Sequence, residues 1–197
     1  AAQEALEKPQ KATTHVESFY GLFSAFLAAK QYGDGKLLEQ ALKSAEEVLP
    51  LMFDFAAYRP IVIPERIQNT ALLISLLVDM YEATSDEKYL VDAAGFADWL
   101  IETKQGEDGV YRKENRIHYT CVIYVAKAVL ELALAEKDYD GQRYIRHYAS
   151  AKRAVDELVA SLDNIDTEGE ATLEDGMISC SALQIGMFAL TLPETQR

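Results

Sequence analysis

The chain has 197 residues, 49% of them hydrophobic, with 19 Lys plus Arg against 32 Asp plus Glu, a net charge of −13. That composition supports a packed core in a single domain and excludes a disordered chain. The negative charge argues against nucleic acid or an anionic membrane as partner, no apolar run reaches membrane-spanning length, and two cysteines cannot build a disulfide framework or a four-thiolate zinc site.

The chain opens Ala1-Ala2-Gln3 without a Met or a signal-peptide pattern, as a trimmed, processed or excised chain would. Proline occurs at 9, 50, 60, 64 and 193 only, so helices can run unbroken from 65 to 192. Thr14-His15-Val16-Glu17 has the form of a capping box and predicts a helix from Thr14 to about Gln31. Asp34 caps a second helix through Val48, which Pro50 is expected to stop. Pro60-Ile61-Val62-Ile63-Pro64 is the best strand signal, too short and too bracketed by proline to seed a sheet. Pro64 opens a third helix through Ala83, and Asp86 caps a fourth to about Lys104. A fifth spans about Arg116–Lys137, a sixth about Gln142–Leu162 and a seventh about Met177–Leu190. The fold class is all-α.

The helices alternate in character. The third and fifth are apolar nearly all round, as in Leu72-Leu73-Ile74 and Val122-Ile123-Tyr124-Val125, so they must be buried. The second, fourth and sixth carry one apolar stripe each. Buried helices alternating with surface helices imply two concentric layers. Asp34-Gly-Lys36-Leu37-Leu38 returns as Asp86-Glu-Lys88-Tyr89-Leu90 and, with one insertion, as Asp140-Gly-Gln-Arg143-Tyr144-Ile145. A period near 53 residues is one long helical hairpin per unit, longer than tetratricopeptide or HEAT-type repeats.

A hairpin repeat with the turn Ser85-Asp-Glu-Lys-Tyr-Leu90 before its outer helix resembles the six-hairpin, (α/α) toroid proteins. Glu174-Asp-Gly-Met-Ile-Ser-Cys-Ser-Ala-Leu-Gln184 looks like the last inner-helix approach of bacterial toroid enzymes that degrade polysaccharides, and Arg66-Ile-Gln-Asn69 before an apolar helix fits the same family. The resemblance covers about residues 14–190. It implies half or more of an (α/α)6 ring, and a glycoside hydrolase-like activity on an oligo- or polysaccharide, with uronic acid among its candidate sugars. It implies no cofactor and a periplasmic or extracellular setting. About three and a half hairpins are present, so the remainder of the ring, or a second copy, is an implied partner. A polysaccharide lyase, or a non-catalytic helical-repeat binding module, stands as the alternative.

The segments leading into the inner helices carry the candidate chemistry. Glu174 and Asp175 are candidates for the acid and base that glycoside cleavage needs, although Glu107-Asp108-Gly109 repeats the pattern as a turn and cap. His118 and Tyr119 are candidates for acid and base in β-elimination, with Arg112, Lys113 and Arg116 upstream as a basic island. Substrate-binding candidates are His15, at a predicted helix start, Arg66, Asn69, Tyr111, Arg112 and Arg116. His147 is expected on the surface of an outer helix. No sequence pattern for metal binding is present; nine acidic residues between Asp156 and Glu194 read as a solvated face. Cys121 and Cys180 read as reduced, buried thiols, near neighbours in consecutive inner helices.

Overall fold

The structure is a computed structural model and describes residues 2–112 and 119–165. Among them are six helices: α1 (Ala2–Tyr32), α2 (Gly35–Met52), α3 (Ile67–Thr84), α4 (Glu87–Lys104), α5 (Tyr119–Glu136) and α6 (Gly141–Ile165). The only paired strands described are β1 (Phe53–Asp54) and β2 (Arg59–Pro60), an antiparallel ribbon in which Phe53 faces Pro60. The all-α expectation is met.

Aspartate starts each even-numbered helix. Asp34 Oδ1 accepts from the amides of Lys36 and Leu37 at 3.1 Å, Asp86 Oδ1 from Lys88 at 3.1 Å, and Asp140 Oδ1 from Gln142 and Arg143 at 3.0 and 3.1 Å. A short acceptor here satisfies amides that the helix itself cannot. Just before the first two caps, Gly33 (φ 65°) and Ser85 (φ 57°) take the left-handed conformation that ends the preceding helix.

The helices pair as hairpins α1/α2, α3/α4 and α5/α6, and α3 also packs on α5. Their spacing is tighter than the sequence period suggests. Adding 52 to the bounds of α2 gives those of α4, and adding 52 to those of α3 gives those of α5. The turn residues Gly33 and Ser85 are 52 apart, as are Phe53 and Gln105, each of which opens a small antiparallel bridge. Among the described residues the register slips at the α5–α6 turn, where Lys137–Asp140 is two residues longer than Ser85-Asp86.

Even-numbered helices bury one face and leave the other in water. Small residues lie on that buried face, with Ala41, Ala45, Ala93 and Ala97 all buried. Phe19, Phe53 and Phe96 run through the core edge to face, with ring centroids 5.4 and 5.7 Å apart. Burying each such ring contributes about 1.5–3 kcal/mol. Gly95 is needed beside them, because a Cβ there would lie 2.4 Å from the Tyr58 ring.

Three expectations are corrected. The Thr14-x-x-Glu17 motif does not start a helix: α1 passes through it, and the Thr14 carbonyl accepts from Ser18 Oγ inside the helix. Pro50 does not stop α2, which runs to Met52. The missing Pro50 amide deprives only the exposed Glu46 turn of a bond, while Leu49 and Met52 beyond it anchor in the core. Pro64 lies outside α3, which begins three residues later.

Candidate functional site

α1, α3 and α5 line one side of a groove of about 680 Å3, continuous with a cleft of about 380 Å3 at the end where the chain enters α3. The 52-residue period places the lining in rows. Tyr20, Leu72 and Tyr124 form the row at the cleft; Phe23, Ser75 and Lys127 follow, then Leu27, Asp79 and Glu131, then Lys30, Glu82 and Leu134. Each helix contributes positions 3, 4 and 3 residues apart, one face of an α-helix. Tyr20 and Tyr124 keep 38% and 44% of their surface exposed, and Leu27 and Leu134 are also exposed, so the groove presents aromatic and aliphatic surface to solvent.

Charge in the groove is paired. Lys30 bonds Asp79 and, at 2.8 Å, Glu82; these hydrogen bonds hold its ammonium well above its ordinary pKa. Lys127 reaches Glu131 at 2.7 Å, and Ser75 Oγ donates to the other Glu131 oxygen at 2.6 Å. All three carboxylates among the described lining residues are thus engaged.

The cleft is different. Among the described residues its lining is Tyr20, Arg66, Gln68, Asn69, Leu72 and Tyr124, with no carboxylate. Asn69 is fully buried; the Tyr20 hydroxyl donates to its Oδ1 at 2.8 Å, while Nδ2 has no partner among the described residues. Arg66 stands at the N-cap position of α3, exposed, with no side-chain cap bond.

Of the residues singled out from sequence, the structure brings Arg66 and Asn69 together here. Tyr111 goes elsewhere: it is buried, and its hydroxyl donates to Ser150 Oγ at 2.7 Å, which in turn donates to Gln105 Oε1 at 2.7 Å. Burial pushes that phenol above its ordinary pKa despite the Ser150 bond. Tyr111 therefore fastens the loop after α4 to α6, and offers no ring face to a ligand. Arg112 is spent on Asp108, with Nη1 to Oδ1 at 2.8 Å and a second contact to Oδ2, and on the Val110 carbonyl. The guanidinium holds the Asp108 carboxyl down to about 2. Arg112 thus closes its own hairpin, which removes one charge from the expected basic island. His15 is half-buried inside α1, not at a helix start.

His118, Arg116, Glu174, Asp175 and Cys180 lie outside the described residues. Tyr119 and Cys121 lie in the first turn of α5, with side chains also outside them.

Two features escaped sequence reasoning. Tyr20 and Tyr124 were separated by two periods, 104 residues, and a 52-residue register would have found them. His147 is the other. It is fully buried, not on the surface, with Nδ1 2.6 Å from Glu136 and Nε2 3.2 Å from Asp98. It follows its cap Asp140 by seven residues, as Ala41 follows Asp34 and Ala93 follows Asp86, so it occupies the buried face of α6.

A scan of protein-family models, a search of curated proteins and a search of solved structures each return no match to this chain. Among the described residues no helix is long and apolar enough to cross a membrane, and no group of three or more His, Cys, Asp or Glu is arranged to hold a metal ion.

Proposed function

We propose that this chain is a carbohydrate-active, glycoside hydrolase-like protein that holds an oligosaccharide along the groove of α1, α3 and α5. The observation that carries the reading is the pair Tyr20 and Tyr124, exposed at the same register on either side of Leu72, beside the buried amide of Asn69. A sugar ring has apolar faces and a polar rim, so it suits flat phenol faces flanked by a few fixed donors and acceptors. On this reading the three hairpins are half of a six-hairpin ring. Glu174 and Asp175 supply the acid and base. On the lyase alternative, His118, which follows Arg66 by 52 residues in the sequence, and Tyr119 supply acid and base, with Arg116 as the cation.

The test is calorimetric titration with a panel of neutral and acidic oligosaccharides, together with product analysis. Tyr20→Ala and Tyr124→Ala are each expected to weaken binding roughly tenfold, about the worth of one aromatic contact. Glu174→Gln and Asp175→Asn are expected to stop turnover and leave binding intact. Unchanged binding in both tyrosine variants refutes the site.

A second reading, a non-catalytic glycan-binding module, is favoured by one observation: Asp79, Glu82 and Glu131 are all engaged by Lys30, Lys127 or Ser75. It predicts binding without products. Growth of ultraviolet absorbance from an unsaturated uronate would instead identify a lyase.

A further inference from the structure

The seam between the second and third hairpins is built differently from the one before it. Between the first and second, aromatic rings close the seam: the Tyr58 ring packs against Gly95, and Phe55 and Tyr58 lie edge to face with Phe96 at 5.2 and 5.6 Å. Polar side chains join α4 to α6 at two levels. At one, His147 Nε2 lies 3.2 Å from Asp98 Oδ1, and Arg146 reaches Asp98 at 3.1 Å and Glu102 at 2.9 Å. At the other, Gln105 Nε2 donates to the Ser150 carbonyl at 2.9 Å, and its Oε1 accepts from Ser150 Oγ at 2.7 Å and from Arg153 at 3.0 Å. The first level holds an imidazole, which titrates near neutral pH; the amide, hydroxyl and guanidinium of the second do not. Ala41 and Ala93 take the place of His147 in the first two hairpins, seven residues after the cap.

The two ring nitrogens face unequal partners. Nδ1 lies 2.6 Å from Glu136, whose side chain is fully buried and whose other oxygen has no partner among the described residues. Nε2 faces Asp98, whose side chain keeps 32% of its surface exposed and is shared with Arg146. As an imidazolium, His147 donates to both carboxylates; as a neutral imidazole it has one N–H. Withdrawing that N–H from Glu136 would strand a buried carboxylate, whereas Asp98 can turn to Arg146 and water, so the remaining proton stays on Nδ1. The Nε2 lone pair then faces a carboxylate oxygen, and an attractive contact becomes a repulsive one.

The charged groups around the ring among the described residues are Asp98 and Glu102 from α4, Glu136 from α5, and Arg143 and Arg146 from α6. Neither arginine titrates in this range, and the Arg146 pairs are partly exposed and weak. Burial alone would lower the His147 pKa; the bonds to Asp98 and Glu136 outweigh it and raise it above its ordinary value.

We propose that His147 is a pH-operated latch on the third hairpin. Protonated, it ties α6 to both α4 and α5. Deprotonated, it keeps α5 and releases α4. The Gln105–Ser150 level holds in both states and serves as the hinge. The latch is independent of what the groove holds.

Hydrogen exchange of the full chain, followed by mass spectrometry from about pH 6 to about pH 9 with intrinsic rates removed, reads local opening segment by segment. Protection of residues 141–155 and of the Asp98–Lys104 end of α4 is expected to fall by up to about tenfold per pH unit between the ordinary imidazole value of about 6.5 and the raised one, then level off. α2 is expected to stay level. Nitrogen NMR of the neutral imidazole is expected to show its proton on Nδ1. Asp98→Asn keeps the shape, accepts from the imidazolium and donates to the neutral ring, so it is expected to flatten the α6 profile. Asp98 is partly exposed, so the variant is expected to fold, which circular dichroism checks; if it does not, the tautomer of the native chain decides.

A proton on Nε2 of the neutral ring would overturn the latch, because the bond to Asp98 would then survive. A flat α6 profile in the native chain would overturn it too. An equal loss of protection in α2 and α6 would show a global change of stability and not a release of one seam. A pH-dependent loss that persists undiminished in Asp98→Asn would refute the role given to the Asp98–His147 contact.

Discussion

Replacing His147 with Leu isolates the energy of a buried charge cluster. The imidazole is fully buried between Glu136 on α5 and Asp98 on α4, with Arg146 on α6 reaching Asp98 at 3.1 Å and Glu102 at 2.9 Å. Leucine fills most of the volume, so the loss is electrostatic. Glu136 has a fully buried side chain, and its Oε1 has no partner among the described residues, so its remaining bond is to His147 Nδ1. Breaking one side of such a pair costs about 3–5 kcal/mol, a large part of the roughly 5–15 kcal/mol that holds a domain folded.

The pH dependence carries a sign. Burial alone would lower the His147 pKa; the bonds to Asp98 and Glu136 outweigh it and raise it. A raised folded-state pKa contributes stability that is complete below the unfolded value of about 6.5 and is lost as pH rises through the folded value. Asp98 runs oppositely. Burial would raise its pKa, but His147 and Arg146 hold it below the ordinary value, so its contribution is complete above the ordinary value and is lost as pH falls through the lowered, folded-state value. The cluster is therefore most stabilising between the carboxylate and imidazole ranges. The assay is urea unfolding at pH 6 and pH 8.5 of the native chain, His147→Leu and the double variant His147→Leu/Glu136→Leu. His147→Leu should lose about 3 kcal/mol or more at pH 6, and the double variant should recover most of it. The native advantage over the double variant should shrink at pH 8.5. A loss under about 1 kcal/mol, or no recovery in the double variant, would refute the buried pair as the cause.

Two further outcomes concern the loop after α4. Gly109 has φ 87°, and a Cβ there would lie 2.7 Å from Arg153 Cβ, whereas Gly33 has φ 65° and open space around it. Gly109→Ala should cost upwards of about 2 kcal/mol and Gly33→Ala about 1 kcal/mol, measured by thermal unfolding; equal losses would show that the Arg153 contact yields. Tyr111→Phe should cost about 1 kcal/mol by removing its bond to Ser150, and leave oligosaccharide affinity unchanged, since the ring faces the core; a binding defect would return Tyr111 to the site.

What could be read in the sequence was local. Asp34, Asp86 and Asp140 act on amides two or three residues away, so their meaning travels with the chain. Thr14-x-x-Glu17 misled for the converse reason: its residues permit a helix start but do not compel one, and α1 already runs through them. Arg66 and Asn69 were legible as polar residues before an apolar helix. Tyr111 and Arg112 looked identical to them in sequence and went elsewhere, because Ser150 and Asp108 supplied their partners.

The sequence by itself determined an all-α chain of helical hairpins, because apolar periodicity and aspartate caps are properties of neighbouring residues. Only the tertiary structure decided which side chains share a space. Tyr20, Asn69 and Tyr124 meet because α1, α3 and α5 stand side by side at a 52-residue register, and His147 is buried because α6 turns it toward α4 and α5. Such meetings depend on long-range packing, which sets the distance, dielectric and partners of every polar group in the groove.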